Sequence, residues 1–269
     1  MMGARLWPPA GATTAVVTLL IAGAGCGGGS GDVVATVGGT PVTRVAVNHW
    51  MATLAGGDYF ELSGQNAVPD GLVSDPPNYP RCVARLEAAA ASSPKRFGTE
   101  PTGAQLLTKC EQLTEALRLQ ATEFLIRSQR LMAIARDQGV TASDNEIQHL
   151  FKRVNAEQFP RPGELQQYLA SRKESVADDL FLLQLDLLSN KMQEKIDGGG
   201  QPARAKLAEL ERKWRARTDC HAGYVVEYCK QHTKGPVSTS NSPSAAVLME
   251  QVATIATGRC INLAACGRQ

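Results

Sequence analysis

The stretch Phe124-Leu-Ile-Arg-Ser-Gln-Arg-Leu-Met-Ala-Ile-Ala-Arg-Asp-Gln-Gly-Val-Thr-Ala-Ser-Asp-Asn-Glu-Ile147 decides the fold, because it joins two amphipathic helices through one tight turn. Gly139 ends a first helix that starts near Thr102, and Ser143 and Glu146 have the capping-box spacing that starts a second. Apolar residues of the first helix recur at steps of three and four. They are Leu106, Cys110, Leu113, Leu117, Phe124, Leu131 and Ala135.

The segment Val33-Val-Ala-Thr-Val37 alternates like a short strand, and Gly38-Gly-Thr-Pro41 is typical of a turn. We expect a helix to start at Val42, with Thr43 as its N-cap. The region from Gly56 to Tyr79 is rich in Gly, Pro, Asp and Asn, which predicts a long surface loop. A short Ala-rich helix is expected from Pro80 to Ala91.

The opening at residues 33–43 and the stretch Phe124–Ile147 resemble the N-terminal chaperone domain of the SurA and PrsA families of exported foldases. The opening follows the pattern Val-Ala-x-Val-x-Gly-x-x-Val/Ile-Thr, and the long helix ends in a turn similar to Gly-Val-x-Val/Thr-Ser/Thr-Asp-x-Glu-Ile. The resemblance implies a mostly α fold, with a helical chaperone domain over residues 33–197. Long helices, a short N-terminal strand and a disulfide-bounded C-terminal segment belong to this expectation.

A further long helix is predicted to begin at Ser175. Its middle, Leu180-Phe-Leu-Leu-Gln-Leu-Asp-Leu-Leu188, is apolar on nearly every side. Such a helix must be covered all round or must face something apolar. Two readings stay open, a central core helix and a partly exposed wall that binds clients.

The segment Gly198-Gly-Gly-Gln-Pro202 is expected to break this run of helices. It lies where PrsA-like proteins would have a parvulin isomerase domain inserted, and too few residues follow for such a domain of about a hundred residues. Residues 203–230 are predicted to form a returning helix and a cysteine-bounded segment. Residues 231–269 form a variable tail without a family counterpart.

Residues 1–25 have the features of an export signal. Arg5 supplies the positive charge, Ala15-Val-Val-Thr-Leu-Leu-Ile-Ala22 the apolar run, and Cys26 is followed by a flexible tether over residues 26–32. This arrangement is similar to a bacterial lipoprotein signal with lipid on Cys26. Gly23 replaces the usual leucine, and Ala22-Gly-Ala24 offers simple secretory cleavage as an alternative.

The number of cysteines bears on the choice between a lipoprotein signal and simple secretory cleavage. If Cys26 carries lipid, six cysteines remain, an even number that suits three disulfides in an oxidising compartment. These six are Cys82, Cys110, Cys220, Cys229, Cys260 and Cys266. Closeness in sequence favours a Cys82–Cys110 bridge, although six cysteines allow about 15 connectivities.

The sequence predicts no catalytic residue, no metal and no cofactor. The net charge of +2 is spread through the chain, which disfavours nucleic-acid binding, and no nucleotide-binding motif is present. His49 and His149 have no catalytic partner at a suitable spacing. Cys220, His221, Cys229 and His232 match no strong zinc template, so oxidation favours a Cys220–Cys229 disulfide.

The resemblance implies a chaperone anchored by lipid to the extracytoplasmic face of the cell membrane, holding unfolded exported polypeptides without ATP. Alternatives are a divergent peptidyl-prolyl isomerase and an envelope lipoprotein that binds one dedicated partner. The candidates for client contact are large apolar residues. They are Trp50, Phe124, Met132, Phe151, Phe181 and Trp214.

Overall fold

The computed structural model describes residues 32–63, 76–92 and 101–232, and this part of the chain is mostly helical, as the sequence predicts. Its elements, in chain order, are β1 (Val33–Val37), β2 (Thr40–Thr43), α1 (Arg44–Ser63), α2 (Pro80–Ser92), α3 (Gly103–Asp137), α4 (Asp144–Gln158), α5 (Glu164–Ser171), α6 (Val176–Ala216) and β3 (Thr218–Cys220). The predicted signal, tether and Cys26 lie outside the described residues, as do Cys260, Cys266 and the tail from residue 233 onward.

Capping boxes start α3, α4 and α6. The side chains of Thr102, Ser143 and Ser175 each accept a hydrogen bond from the backbone N–H three residues later. In turn, the side chain of that later residue accepts a hydrogen bond from the backbone N–H of the capping residue. At the predicted turn Gly139 has a φ of 65°, a value that glycine adopts without steric cost. The backbone N–H of Val140 donates to the carbonyl of Ala135 at 2.8 Å, closing the C-terminus of α3.

The N-terminal region forms a hairpin rather than one strand followed directly by a helix. Val42 was expected to begin the helix, but residues 40–43 form β2, which pairs antiparallel with β1. The reason is that Gly38 and Gly39 both adopt positive φ and reverse the chain within two residues. The helix α1 then starts at Arg44, and Thr43 Oγ1 accepts a hydrogen bond from the Ala46 N–H at 3.2 Å.

Residues 56–63, expected to lie in a loop, belong instead to α1, which continues to Ser63. Each glycine in a helix costs only about 1 kcal/mol relative to alanine, which is too little to end a helix held by its other residues. The third strand, β3, was not predicted at all. It pairs with the other side of β1, giving the sheet order β2-β1-β3.

The helix α6 is a central core helix over its apolar middle. Leu182, Leu183, Leu185 and Leu188 are all buried, and α6 packs against α3 and α4. This burial favours the core reading of the segment over the reading as an exposed wall. The chain bends at Gly200, whose φ and ψ of 59° and −146° lie outside the helical range, and Pro202 follows in the next turn.

After the bend, α6 returns to α3 and the sheet. Arg130 Nη2 donates to the Glu211 carbonyl at 3.0 Å, and Trp214 Nε1 donates to Asp137 Oδ2 at 3.1 Å. The Gly38 N–H donates to the carbonyl of Arg217 at 2.8 Å. These bonds fix the end of α6 beside the hairpin and place β3 against β1.

Two disulfides lie in the described part of the chain. Cys82 and Cys110 join α2 to α3 with their Cα atoms 6.0 Å apart, and Cys220 and Cys229 close a loop after β3 with Cα atoms 5.8 Å apart. All four residues are buried. No helix within residues 32–63, 76–92 and 101–232 combines the length and apolarity needed to cross a bilayer.

Candidate functional site

Three of the six candidate client-binding residues meet in one aromatic cluster. The ring centroid of Trp50 lies 4.4 Å from that of Phe124 and 5.9 Å from that of Phe181, and the Phe124 and Phe181 centroids are 6.3 Å apart. Trp50 and Phe124 are only 6% and 5% exposed. The cluster joins α1, α3 and α6, so it belongs to the core and offers little surface to a client.

The other three candidates are scattered. Trp214 is buried beneath the hairpin and is held by its hydrogen bond to Asp137. Met132 is half-buried against the main core, and Phe151 is half-buried on α4. The structure therefore does not bring the six residues together into one apolar surface.

Exposed large apolar side chains are few in the part of the chain that the structure describes. They are Val45 and Val176, which are 69% and 44% exposed. Each lies in the first turn of its helix, α1 or α6. Two separate valines expose much less apolar area than the patch of several hundred Å² that marks a protein-binding surface.

Half-buried aliphatic residues lie on both helices joined by the Cys82–Cys110 disulfide, and others lie on α4, α5 and α6. Leu86 lies one turn after Cys82 on α2, whereas Leu107 and Leu113 lie one turn before and after Cys110 on α3. None of these three leucines joins the main core cluster. We call α2 together with residues 103–118 of α3 the disulfide arm, and its half-buried leucines form the candidate functional site.

The disulfide arm is held differently from the rest of the fold. Cys82 and Cys110 are buried between the two helices, and Leu106 and Ala90 are buried beside them. The helix α2 packs on α3, whereas residues 121–135 of α3 pack into the main core. The covalent bond therefore supplies the order that a small apolar contact between two helices lacks.

A second group of contacts docks the C-terminal disulfide loop on α3. The Tyr228 ring lies 4.6 Å from the guanidinium carbon of Arg130 and 5.7 Å from that of Arg127. The Tyr224 ring lies 5.4 Å from the guanidinium carbon of Arg118. Burial raises the pKa of Tyr228 and lowers that of Arg130, so the contact is shielded from water.

Sequence reasoning missed these arginine and tyrosine contacts. A signal was present in the run Tyr224-Val-Val-Glu-Tyr228, where two tyrosines four residues apart precede Cys229. Their partners on α3 are about a hundred residues away in sequence, and no local pattern links them. These contacts hold the C-terminal disulfide loop on α3.

One histidine, His49 on α1, pairs with an acidic side chain of α6. His49 Nε2 lies 2.8 Å from Asp178 Oδ1, and the hydrogen bond that this carboxylate accepts raises the pKa of His49. Cys220 and Cys229 are joined to each other, so neither thiolate is present as a ligand beside His221 and His232. No group of three or more metal-binding side chains occurs within the described ranges.

No family model, no curated protein and no solved structure matches this chain. The likeness to the SurA and PrsA families therefore rests on the two sequence patterns alone.

Proposed function

We propose that this protein is a lipid-anchored, extracytoplasmic chaperone that holds unfolded exported polypeptides without nucleotide. The observation that carries the proposal is the set of half-buried aliphatic side chains on the disulfide arm, Val83, Leu86, Leu107 and Leu113. The sequence resemblance to SurA-type and PrsA-type chaperone domains supports it. The aromatic candidates Trp50 and Phe124 are not part of this surface, because they are buried.

The size of the surface fits a holdase that releases its clients. Covering the remaining exposed area of a half-buried aliphatic side chain contributes about 1 kcal/mol. Four such side chains contribute roughly 4 kcal/mol before the entropy cost of association is subtracted, so one client segment is bound only weakly. Contacts of that strength form and break without an energy source, and a client with several apolar segments is retained by rebinding.

The proposed location depends on Cys26, which lies outside the described residues. An apolar run followed by a cysteine and a glycine-rich tether supports lipid attachment, and the disulfides within the body suit an oxidising compartment. Replacing Cys26 with alanine is expected to move the protein from the membrane fraction to the soluble fraction. Unchanged membrane retention of this variant contradicts the anchor.

The test of the holdase proposal uses residues 27–269, because the chain from Asp32 onward is a compact unit of its own. Aggregation of reduced lysozyme is followed by light scattering with and without the protein. The variant Leu86→Gln/Leu113→Gln removes two apolar groups from the disulfide arm. Its matched control is Val45→Gln/Val176→Gln, which removes two exposed apolar groups on other helices.

We expect the wild type and the control to suppress aggregation and the arm variant to lose most of the effect at an unchanged melting temperature. Equal activity of the arm variant and the wild type would reject the arm as the binding surface. Failure of the wild type would reject the holdase itself and favour one dedicated partner. A proline-peptide isomerisation assay run in parallel separates the proposal from the isomerase alternative, which requires a measurable rate enhancement.

A further inference from the structure

The returning half of α6 concentrates positive charge, which differs from the even spread expected in the sequence analysis. Residues 203–217 contain six basic and two acidic residues, a net charge of +4, whereas the whole chain carries only +2. The remainder of the chain therefore has a net charge of −2. A helix that carries this charge in about four turns is an electrostatic feature of the fold and does not follow from its overall composition.

Three of these basic residues share one face. Arg204, Arg212 and Arg215 are separated by eight and three residues, a spacing that places them along one side of a helix over about 16 Å. Three alanines lie between and beside them, Ala205, Ala208 and Ala216. Glu211, seven residues after Arg204 and four before Arg215, lies at the edge of this row nearest the core, where it is half-buried and interacts with Arg130. We call the three arginines and the three alanines the arginine face.

The arginine face has its charge available. Arg204 and Arg212 are exposed and Arg215 is half-buried, and none of the three forms an ion pair within residues 32–63, 76–92 and 101–232. By contrast, Lys206 pairs with Glu209 at 3.0 Å, and Lys213 pairs with Asp137 at 2.9 Å. The basic residues on the other flank of this helix are therefore already partnered.

The opposite side of this helix is fixed to the body. Leu207, Leu210 and Trp214 are buried, and their packing keeps the arginine face turned away from the core. A rigid row of guanidinium groups among alanines lets a broad surface approach closely. Guanidinium groups bind phosphate oxygens in a bidentate manner, so a surface rich in phosphate is the complementary partner.

We propose that the arginine face binds the surface of an anionic phospholipid bilayer. The position of this helix near Asp32, the first described residue, favours a membrane over a nucleic acid, a step that rests on the proposed lipid anchor at Cys26. The Gly38 N–H bonds to the Arg217 carbonyl, and Gly38 is six residues from Asp32, a reach of about 20 Å. The face also has no aromatic residue on which a base can stack.

The proposed anchor and the arginine face would act on the same membrane. The six residues 26–31 reach at most about 20 Å when extended, so lipid on Cys26 would keep the start of β1 close to the bilayer. This consequence depends on the proposed anchor, but binding of vesicles by residues 27–269 does not. The arginine face would orient the body on the membrane. The disulfide arm would remain a separate surface for clients.

The experiment measures cosedimentation of residues 27–269 with phosphatidylcholine vesicles that contain about 30% phosphatidylglycerol, at about 0.05 M and about 0.5 M salt. The test variant is Arg204→Gln/Arg212→Gln/Arg215→Gln. The control variant, Lys109→Gln/Lys152→Gln/Arg153→Gln, removes the same charge from exposed positions on α3 and α4. Both variants are first checked for an unchanged melting temperature.

We expect the wild type to bind the anionic vesicles at low salt and to dissociate at high salt. Loss of three arginines lowers the vesicle affinity about 100-fold, while the control stays within about twofold of the wild type. An equal loss in both triple variants, or no binding of anionic vesicles by the wild type, would overturn the proposal. Tighter binding to a single-stranded oligonucleotide than to the vesicles would also overturn it and assign the face to nucleic acid.

Discussion

Gly38 lies directly against the indole ring of Trp214. A Cβ atom built on Gly38 would come within 2.3 Å of Trp214 Cζ3, a separation that side-chain carbons do not tolerate. The ring cannot move aside easily, because it is buried and its Nε1 donates to Asp137. The hairpin and the returning half of α6 are thus fitted to each other at a single residue.

Replacement of Gly38 with alanine is expected to lower the free energy of unfolding by about 3 kcal/mol, combining a strained positive φ with a clash in a packed core. The control is Gly39→Ala. Gly39 also has a positive φ, 92°, but its added Cβ would have no neighbour within 4 Å. That change is expected to cost only about 1–2 kcal/mol. Equal losses in urea unfolding of the two variants would mean that the contact with Trp214 contributes nothing.

Removal of the Cys82–Cys110 disulfide is expected to cost more stability than removal of the Cys220–Cys229 disulfide. The two bridges span sequence separations of 28 and 9 residues, and loop-closure entropy gives about 3.5 and about 2.7 kcal/mol respectively. The measurement is urea unfolding of the variants Cys82→Ser/Cys110→Ser and Cys220→Ser/Cys229→Ser. The reverse order would show that contacts of the C-terminal loop, and not chain entropy, dominate.

The sequence predicted those features of the fold that local chemistry controls. Ser143, Glu146 and Ser175 lie at the helix starts expected of them, because a capping box needs only residues three apart. The strand β3 was missed because its three residues gain a strand conformation only by pairing with β1, far away in sequence. Pairing of this kind leaves no periodic pattern to read.

The candidate site was harder to predict than the fold. Trp50 and Phe124 are typical client-contact residues by type, yet both are buried, because α1 and α3 meet across more than seventy residues of sequence. Leu86 and Leu113 have the same apolar character and lie less deeply buried. Residue type alone does not separate the two groups, because burial is a property of tertiary packing.

Replacement of Leu183 with aspartate is expected to unfold the domain. The side chain is 1% exposed, and an unpaired carboxylate at this position costs about 4 kcal/mol or more. Val176→Asp on the same helix is the control, since Val176 is exposed and acidic groups are favoured in the first turn of a helix. Circular dichroism and thermal melting distinguish the two variants. A folded Leu183→Asp protein would restore the reading of α6 as an exposed wall.

The pair formed by His49 and Asp178 makes stability depend on pH. The hydrogen bond that His49 donates to the Asp178 carboxylate raises the pKa of His49 above its usual 6.5. Burial acts to raise the pKa of Asp178, but hydrogen bonds from His49 and Ser175 outweigh it, and the net pKa is lowered below 3.8. The pair therefore contributes most between about pH 4 and pH 6.5, where both charges are present in the folded state.

Above that range the contribution of His49 to the free energy of unfolding is lost as the pH rises through its raised folded pKa. Below that range the contribution of Asp178 is lost as the pH falls through its lowered folded pKa. The variant His49→Gln removes the titrating group. We expect the wild type to exceed it in urea midpoint at pH 5.5 and the difference to shrink by pH 8.5. A difference that is the same at both pH values would assign the contact to packing of α1 on α6 and not to charge.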